Sequence, residues 1–177
     1  IAEGFDVAIG GGIELTEGLV ARELAEVSIV PVAAPSYLEL HGTPAEPADL
    51  SRHRALLRRS IASGRLVPWV LKNEEGGEVV ASVRPVAVLD DPEALARAAA
   101  CGLGIAMLPL PHALPLLRSG EIVRVLQAWH AETRPLSIYY SSRKLFPAKV
   151  RVFVDHVVEQ ARARAYGEIF RAKSLTL

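Results

Sequence analysis

The sequence predicts an α/β fold with a mainly parallel or mixed sheet, because short strand-forming runs alternate with helical segments along the chain. Half of the 177 residues are apolar, which is enough to build a hydrophobic core and too much for a disordered chain. Near the C-terminus, apolar residues recur with helical spacing and form one stripe: Val150, Phe153, Val154, Val157, Val158 and Ala161.

Strand signals dominate the first half of the chain. The predicted elements are a strand over 5–9, two strands or one bent strand over 19–34, short helices over 37–41 and around 48–53, and strands over 66–71 and 79–89 joined by a turn over 74–77. Gly10, Gly11 and Gly12 are expected to end the first strand in a loop, since glycine is typical of turns. Pro35 and Ser36 are expected to open the first helix.

Residues 90–109 form the most complete local pattern. Asp91 suits the N-cap of a helix, Pro92 its first position, and Gly102 its end in a left-handed conformation. A buried strand follows and ends at Pro109. By itself this block is typical of an ordinary helix–strand unit in a core. The remaining predicted elements are that strand over 104–108, a helix over 111–118, strands over 121–126 and 136–140, and a last helix that begins near Pro147 and breaks at Gly167.

Charge is balanced overall but unevenly distributed. The chain has 20 basic and 20 acidic residues. Residues 1–30 carry six acids and one base, whereas residues 143–173 carry eight bases and three acids. The bases lie along an amphipathic helix whose aromatic residue, Phe153, belongs to the apolar stripe. This pattern favours a solvated face, or contact with an acidic partner surface, over nucleic-acid binding.

Composition also disfavours several classes of protein. The apolar runs are too short to span a membrane. The single cysteine, Cys101, excludes an internal disulfide and is typical of a reducing compartment. It is expected to be buried and unreactive, because it lies at the negative end of a helix. The chain begins without Met and without a signal-peptide pattern, so we expect a fragment or a processed piece.

The sequence contains no recognisable catalytic or metal-binding motif. It has no Gly-x-Ser-x-Gly elbow and no phosphate-binding Gly-x-x-x-x-Gly-Lys loop. Gly102 and Gly104 do not complete a dinucleotide fingerprint, because Met107 occupies the third position. The five histidines lie far apart and lack metal-ligand spacing. We therefore expect no enzyme activity, no cofactor and no metal.

Three loops at strand ends are consistent with a small-ligand cleft: residues 10–12, 35–36 and 90–91. In open α/β sheets, ligands bind where such loops and helix N-termini meet. Whether these three loops converge is left open by the sequence. The candidate ligand-binding residues are Gly10, Gly11, Gly12, Pro35, Ser36, Asp90, Asp91 and Pro109.

Seven segments of the chain form a recognisable pattern through their order and spacing. They are residues 5–9, 19–25, 32–38, 41–44 with 47–50, 90–109, 119–126 and 147–159. Together they resemble the effector-binding domain of LysR-type transcriptional regulators. The resemblance implies a periplasmic-binding-protein type II-like fold, in which two Rossmann-like lobes are joined by crossover strands near 30–34 and 134–138.

The resemblance also implies a division of the chain. Lobe I would contain residues 1–34 and 134–165, lobe II residues 35–133, and residues 166–177 would form a C-terminal tail. Lobe I would be incomplete, because a strand–helix–strand stretch that the family has before residue 5 is absent from this sequence. The family's winged helix-turn-helix is absent as well.

In function, the resemblance implies a cytoplasmic domain that binds a small-molecule effector between its lobes and changes the geometry of a homo-oligomer, a dimer or a tetramer. DNA would be contacted only through the absent helix-turn-helix, and no membrane would be involved. Gly10 to Gly12 stand where many members have an arginine, which disfavours a carboxylate clamped there. Asp90 stands where many have asparagine, which favours a hydroxyl, an amine or a cation.

The sequence and the resemblance support three further expectations. The acidic N-terminal segment and the basic last helix are expected to meet across a dimer, on the charge distribution alone. A free-standing solute-binding protein of the same fold is the alternative function, and an upstream export signal would favour it. An enzyme built on this fold is disfavoured, since no nucleophile–base pair is recognisable.

Overall fold

The computed structural model describes residues 5–11, 17–61, 63–141 and 147–174. They belong to two compact units, one of which spans Ser28–Glu132 while the other combines Ile1–Val27 with Thr133–Leu177. The chain therefore changes unit before residue 28, earlier than the predicted lobe boundary after residue 34. The strand Ser28–Ala33 explains the difference, because it pairs only with strands of the second unit.

The first unit is a three-stranded antiparallel sheet with a long helix. Its elements are β1 (Val7–Gly11), β2 (Leu19–Ala25), β11 (Leu136–Ser141), α4 (Ala148–Ala163), α5 (Tyr166–Ile169) and a 3-10 helix (Ala172–Ser174). The strand order is β1-β11-β2. Val150, Val154 and Val158 of α4 form a core with Ile138 of β11. This confirms the predicted stripe, although Phe153 at its edge is 48% exposed.

The second unit is built around a mixed sheet. Its strands are β3 (Ser28–Ala33), β4 (Arg54–Arg58), β5 (Val70–Asn73), β6 (Glu78–Val80), β7 (Arg84–Leu89), β8 (Ile105–Pro109), β9 (Val123–Arg124) and β10 (Trp129–Glu132). Its helices are α1 (Pro35–His41), a 3-10 helix (Pro47–Arg52), α2 (Pro92–Ala100) and α3 (Leu110–Ser119). The strand order is β6-β5-β10-β3-β8-β4-β7, with β9 beside β3. Strands β7 and β8 flank β4 in parallel, and the other pairs are antiparallel.

Two strands of this sheet, β4 and β10, were not predicted from the sequence. In β4, Ala55, Leu56 and Leu57 are all buried, because the strand lies in the sheet interior with both faces covered. A strand buried on both faces has no apolar–polar alternation, and β4 is only five residues long. The signal was therefore too short to separate from its arginine-rich flanks.

The helix ends confirm the predicted capping pattern. The Asp91 carboxylate accepts a hydrogen bond from the Ala94 backbone N–H at 2.7 Å, and Pro92 is the first residue of α2. Gly102 follows the helix with φ +74° and Gly120 follows α3 with φ +76°. Both glycines adopt the left-handed conformation that ends a helix without a Cβ clash.

The predicted glycine loop after β1 is wrong for its first two residues. Gly10 and Gly11 belong to β1, where they pair with Ser137 and Leu136 of β11. Glycine permits an extended backbone as readily as a turn, so pairing with a neighbouring strand decides the outcome. Gly12 lies outside the described residues.

Three smaller expectations also need correction. The last helix ends at Ala163, and Ala165 takes a left-handed φ of +51°, while Gly167 lies inside α5 and is not the break. Cys101, expected to be buried, is exposed at the C-cap of α2. The strand expected over 121–126 is reduced to β9.

Opposite charges of the two terminal segments already meet within the first unit. The three ion pairs are Arg22–Asp155 at 2.6 Å, Arg171–Glu26 at 2.7 Å and Lys149–Asp6 at 3.4 Å. Each is solvent-exposed, so each contributes about 0–1 kcal/mol to stability. Some of these charges are therefore already paired within one chain. Contact between the two segments across a dimer stays a prediction.

A buried polar contact joins α1 to the start of β4. The Tyr37 hydroxyl accepts the Arg54 backbone N–H at 2.9 Å and lies 3.2 Å from His53 Nδ1. In the neutral imidazole, an unprotonated Nδ1 can accept the Tyr37 hydroxyl proton while the hydroxyl oxygen accepts the Arg54 N–H. Burial, and next the positive field of His41, lower the pKa of His53, and Asp49 opposes them.

We predict that stability falls as the pH is lowered because of His53. The folded state holds the imidazole neutral, whereas the unfolded chain binds a proton near the ordinary value of 6.5. The stabilisation is fully present above pH 6.5 and is lost below it. Urea unfolding of the wild type between pH 7.5 and 5 should show this loss, and His53→Gln should show a shallower dependence. Equal slopes would contradict the assignment.

We also predict that Gly104→Ala destabilises the second unit. A Cβ at residue 104 would lie 2.5 Å from the backbone carbonyl oxygen of Arg54, so β4 and β8 would have to move apart. The expected loss is roughly 1–3 kcal/mol in the free energy of unfolding. Gly167→Ala is the matched control, since its Cβ meets no atom within 4 Å. The prediction fails if the two variants unfold at the same urea concentration.

Candidate functional site

A pocket of about 250 Å³ lies in the second unit. Its walls come from five strands and from the segment that precedes β5. The lining residues are Ile29, Leu56, Arg58, Val67, Pro68, Trp69, Val70, Met107, Ala131 and Glu132. The pocket is therefore assembled from residues that are far apart in the sequence.

Strand direction explains why these residues meet. Strands β4 and β8 are parallel, so Arg58 and Pro109 end their strands at the same edge of the sheet. Strand β3 is antiparallel to β8 and places its first residues there too, with Ile29 opposite Pro109. Ala131 of β10 pairs with Ile29 on the other side. The pocket thus lies at the carboxyl ends of parallel strands, where open α/β sheets bind ligands.

Most of the pocket wall is apolar. Leu56 is fully buried, and Trp69 and Met107 are 4% and 9% exposed. The backbone N–H of Val67 donates to the carbonyl oxygen of Arg58 at 2.9 Å, which holds the segment before β5 against the end of β4. This wall can cover an apolar ligand body without moving the strands.

The two charged residues of the pocket differ in their surroundings. Glu132 accepts a hydrogen bond from Lys72 Nζ at 2.9 Å, and this contact lowers the pKa of the Glu132 carboxyl. Lys72 also lies 3.6 Å from Glu78. Arg58 is half-buried, and its guanidinium has no hydrogen bond or ion pair with any described residue. The pocket therefore presents one cation without a partner.

The chemistry of the lining is suited to binding. None of its ten residues is a histidine, a cysteine, a serine or a threonine, so the wall offers no imidazole, thiol or hydroxyl for covalent chemistry. Within the described ranges, no three His, Cys, Asp or Glu side chains are grouped to hold a metal ion. None of the described helices has the length and apolarity needed to cross a bilayer.

None of the eight residues predicted from the sequence lines this pocket. Asp90 and Pro109 come nearest in the fold, because Asp90 follows Leu89, which pairs with Arg58, and Pro109 pairs with Ile29. The Asp90 side chain is exposed, while the Asp91 carboxylate is engaged in capping α2. Their role in ligand binding stays a prediction.

Pro35 and Ser36 lie at the opposite edge of the sheet. They follow the far end of β3, and a Cβ on Gly102 would lie 3.3 Å from the Ser36 hydroxyl oxygen. Ser36 is therefore beside the C-terminal end of α2, whereas Asp91 caps its start. Since α2 has nine residues, about 14 Å of helix separates the two. Gly10 and Gly11 lie in the other unit, and Gly12 is outside the described residues.

The N-terminus of α2 is unsuited to an anion. The Asp91 carboxylate occupies one of its free N–H groups, and Glu93 adds a second negative charge in the first turn. Arg58 is not among the candidate residues predicted from the sequence, because β4 was not predicted. The apolar run over 55–57, followed by two arginines, could have indicated Arg58. A charged residue directly after a short buried strand lies at the edge of the sheet where that strand ends.

The sequence matches the family model described as "LysR substrate binding domain" over residues 1–162. It is 34% identical over 157 residues to an HTH-type transcriptional regulator of Xanthomonas campestris, covering 86% of this chain and 45% of the relative. It is 30% identical over 159 residues to the HTH-type transcriptional activator AaeR of Escherichia coli, covering 90% and 50%. The chain thus spans about half the length of the curated relatives it matches.

Solved structures agree with these matches. The regulatory domain of CrgA from Neisseria meningitidis, a LysR-type transcriptional regulator, aligns with a TM-score of 0.77 at 27% identity, covering 90% of this chain and 77% of that one. Full-length AphB of Vibrio cholerae aligns with a TM-score of 0.75 at 31% identity, covering 89% and 52%. The predicted periplasmic-binding-protein type II-like fold is confirmed, and the relatives are named as transcriptional regulators, which are not enzymes. The chain belongs to the LysR substrate-binding domain family.

Proposed function

We propose that this chain is the effector-sensing domain of a LysR-type transcriptional regulator and that its effector binds in the pocket beside Arg58. The observation that carries the proposal is an apolar pocket at the carboxyl ends of parallel strands, with one cation that has no partner. A cation in a mostly apolar pocket without a partner favours a bound anion, because a charged hydrogen bond would then pair it.

Effector binding would act on transcription by shifting the domain between two conformational states. A ligand shifts such an equilibrium only by the difference between its affinities for the two states. The pocket residues Ile29 and Glu132 lie at the two ends of the chain segment Ser28–Glu132. A ligand that contacts both ends is well placed to favour one state, which supports a sensing role.

The remaining proposals concern partners and location. We propose that the longer protein forms a dimer or a tetramer, contacts DNA through a helix-turn-helix domain and acts in the cytoplasm. The names of the HTH-type relatives, and the full-length regulator structures that align with this chain, support these proposals. The same names favour a regulator over a free-standing solute-binding protein.

We predict that filling the pocket abolishes effector binding. Small metabolites that stabilise the wild type in a thermal-shift screen should lose their effect on Ala131→Trp, because Ala131 lines the pocket and the indole would occupy it. A ligand at 100 times its Kd stabilises the folded state by about 2.7 kcal/mol, which a melting curve detects. Ala128→Trp, three residues away on an exposed turn, is the matched control.

The same screen tests the location of the site. A thermal shift that persists in Ala131→Trp would contradict the pocket proposal. Loss of the shift in Asp90→Ala would extend the site along its own sheet edge. Loss in Ser36→Ala would place the site at the opposite edge and overturn the proposal.

A further inference from the structure

We infer that the pocket selects effectors with a single negative charge and a compact apolar body, and that Arg58 is the residue that selects the charge. This inference rests on the proposed function, since it concerns the ligand class of the same pocket. It differs from the expectation drawn from Asp90, which favoured a hydroxyl, an amine or a cation.

Arg58 has a fixed position in the wall of the pocket. Its backbone is held on two sides, by parallel pairing with Leu89 of β7 and by the hydrogen bond from Val67. The side chain starts from this fixed point and forms part of the pocket wall. A guanidinium recognises a carboxylate through two parallel N–H···O hydrogen bonds, so a carboxylate is the group that best satisfies it.

Glu132, the acid in the pocket lining, does not neutralise Arg58. Glu132 and Arg58 both line the pocket, yet Glu132 is paired with Lys72 and is not within ion-pair distance of Arg58. Lys72 is fixed on β5, opposite Glu78 of β6 and diagonal to Glu132 of β10. The Glu132 carboxylate is therefore engaged by a neighbouring strand, and no described acid forms an ion pair with Arg58.

The carboxylates around Lys72 limit the number of negative charges on the ligand. Lys72 is shared between Glu78 and Glu132, so one cation faces two carboxylates. The lowered pKa of Glu132 keeps its carboxylate ionised at neutral pH. A second negative charge on the ligand would meet this carboxylate at the far side of a small pocket. The arrangement therefore disfavours dianions.

The volume of the pocket limits the size of the ligand. A cavity of about 150 Å³ accommodates benzene. At about 250 Å³, the pocket has room for one six-membered ring or a short alkyl chain together with a carboxylate. Leu56, Trp69 and Met107 supply buried apolar surface for this body.

The experiment compares acids with neutral compounds of the same shape. The probes are cyclohexanecarboxylate with cyclohexanecarboxamide, hexanoate with hexanamide, and the dianion cyclohexane-1,2-dicarboxylate, each titrated to millimolar concentration. Binding is measured by thermal shift and by the fluorescence of Trp69 in the pocket wall, since these probes do not absorb where tryptophan does. The full chain is used as wild type, Arg58→Gln, Arg58→Lys and Arg54→Gln. Arg54 is exposed at the opposite end of β4 and serves as the matched control.

We predict that one or more of the monoacids binds the wild type roughly ten-fold more tightly than its amide, or tighter still. This is the difference expected when a hydrogen bond between charged groups is lost. The dicarboxylate should bind more weakly than the monoacid. Arg58→Gln should bring acid and amide to equal affinity, Arg58→Lys should keep part of the preference, and Arg54→Gln should keep all of it.

Other outcomes overturn the inference in distinguishable ways. Equal affinity of acids and amides for the wild type, or no binding of any probe acid, would reject the anionic ligand class. If a neutral or cationic metabolite then stabilises the wild type but not Ala131→Trp, the proposed function stands without this class. An acid preference that survives in Arg58→Gln would reject the assignment to Arg58.

Discussion

The second unit depends on the parallel packing of β4 between β7 and β8. Three consecutive residues of β4, Ala55 to Leu57, are buried there, and Gly104 permits the close approach of β8 because a Cβ would strike the Arg54 carbonyl. Parallel neighbours bring their carboxyl ends to one edge of the sheet. The end of β4, the start of β3 and the loop after β7 therefore share that edge, and the pocket follows from this arrangement.

Charge pairing decides how the two units use their polar residues. In the first unit, exposed pairs such as Arg171–Glu26 connect the two terminal segments and add little stability. In the second unit, the pair Lys72–Glu132 has a different consequence, because it engages the acid that lines the pocket with Arg58. A contact that is weak as a source of stability can therefore still determine which charge a pocket presents to a ligand.

Local patterns were predicted well because the atoms that satisfy them are close in sequence. The cap of α2 needs only Asp91 and the N–H three residues later, and its end needs only Gly102. The predictions that proved wrong concern residues whose conformation depends on strands far away in the sequence. Gly10 and Gly11 extend a strand because β11 pairs with them, and β4 shows no alternation because neighbours cover both its faces.

The sequence by itself determined the α/β class, most element positions, the helix caps and, through the order of its segments, the family. Only the tertiary structure decided which strand ends meet. Because β3 runs antiparallel to β8, Ser36 and Asp90 are at opposite edges. Glu132, the acid in the pocket lining, is paired with Lys72 of another strand and not with Arg58. Strand direction and charge pairing across a sheet depend on burial of residues far apart in the chain, which no short sequence pattern specifies.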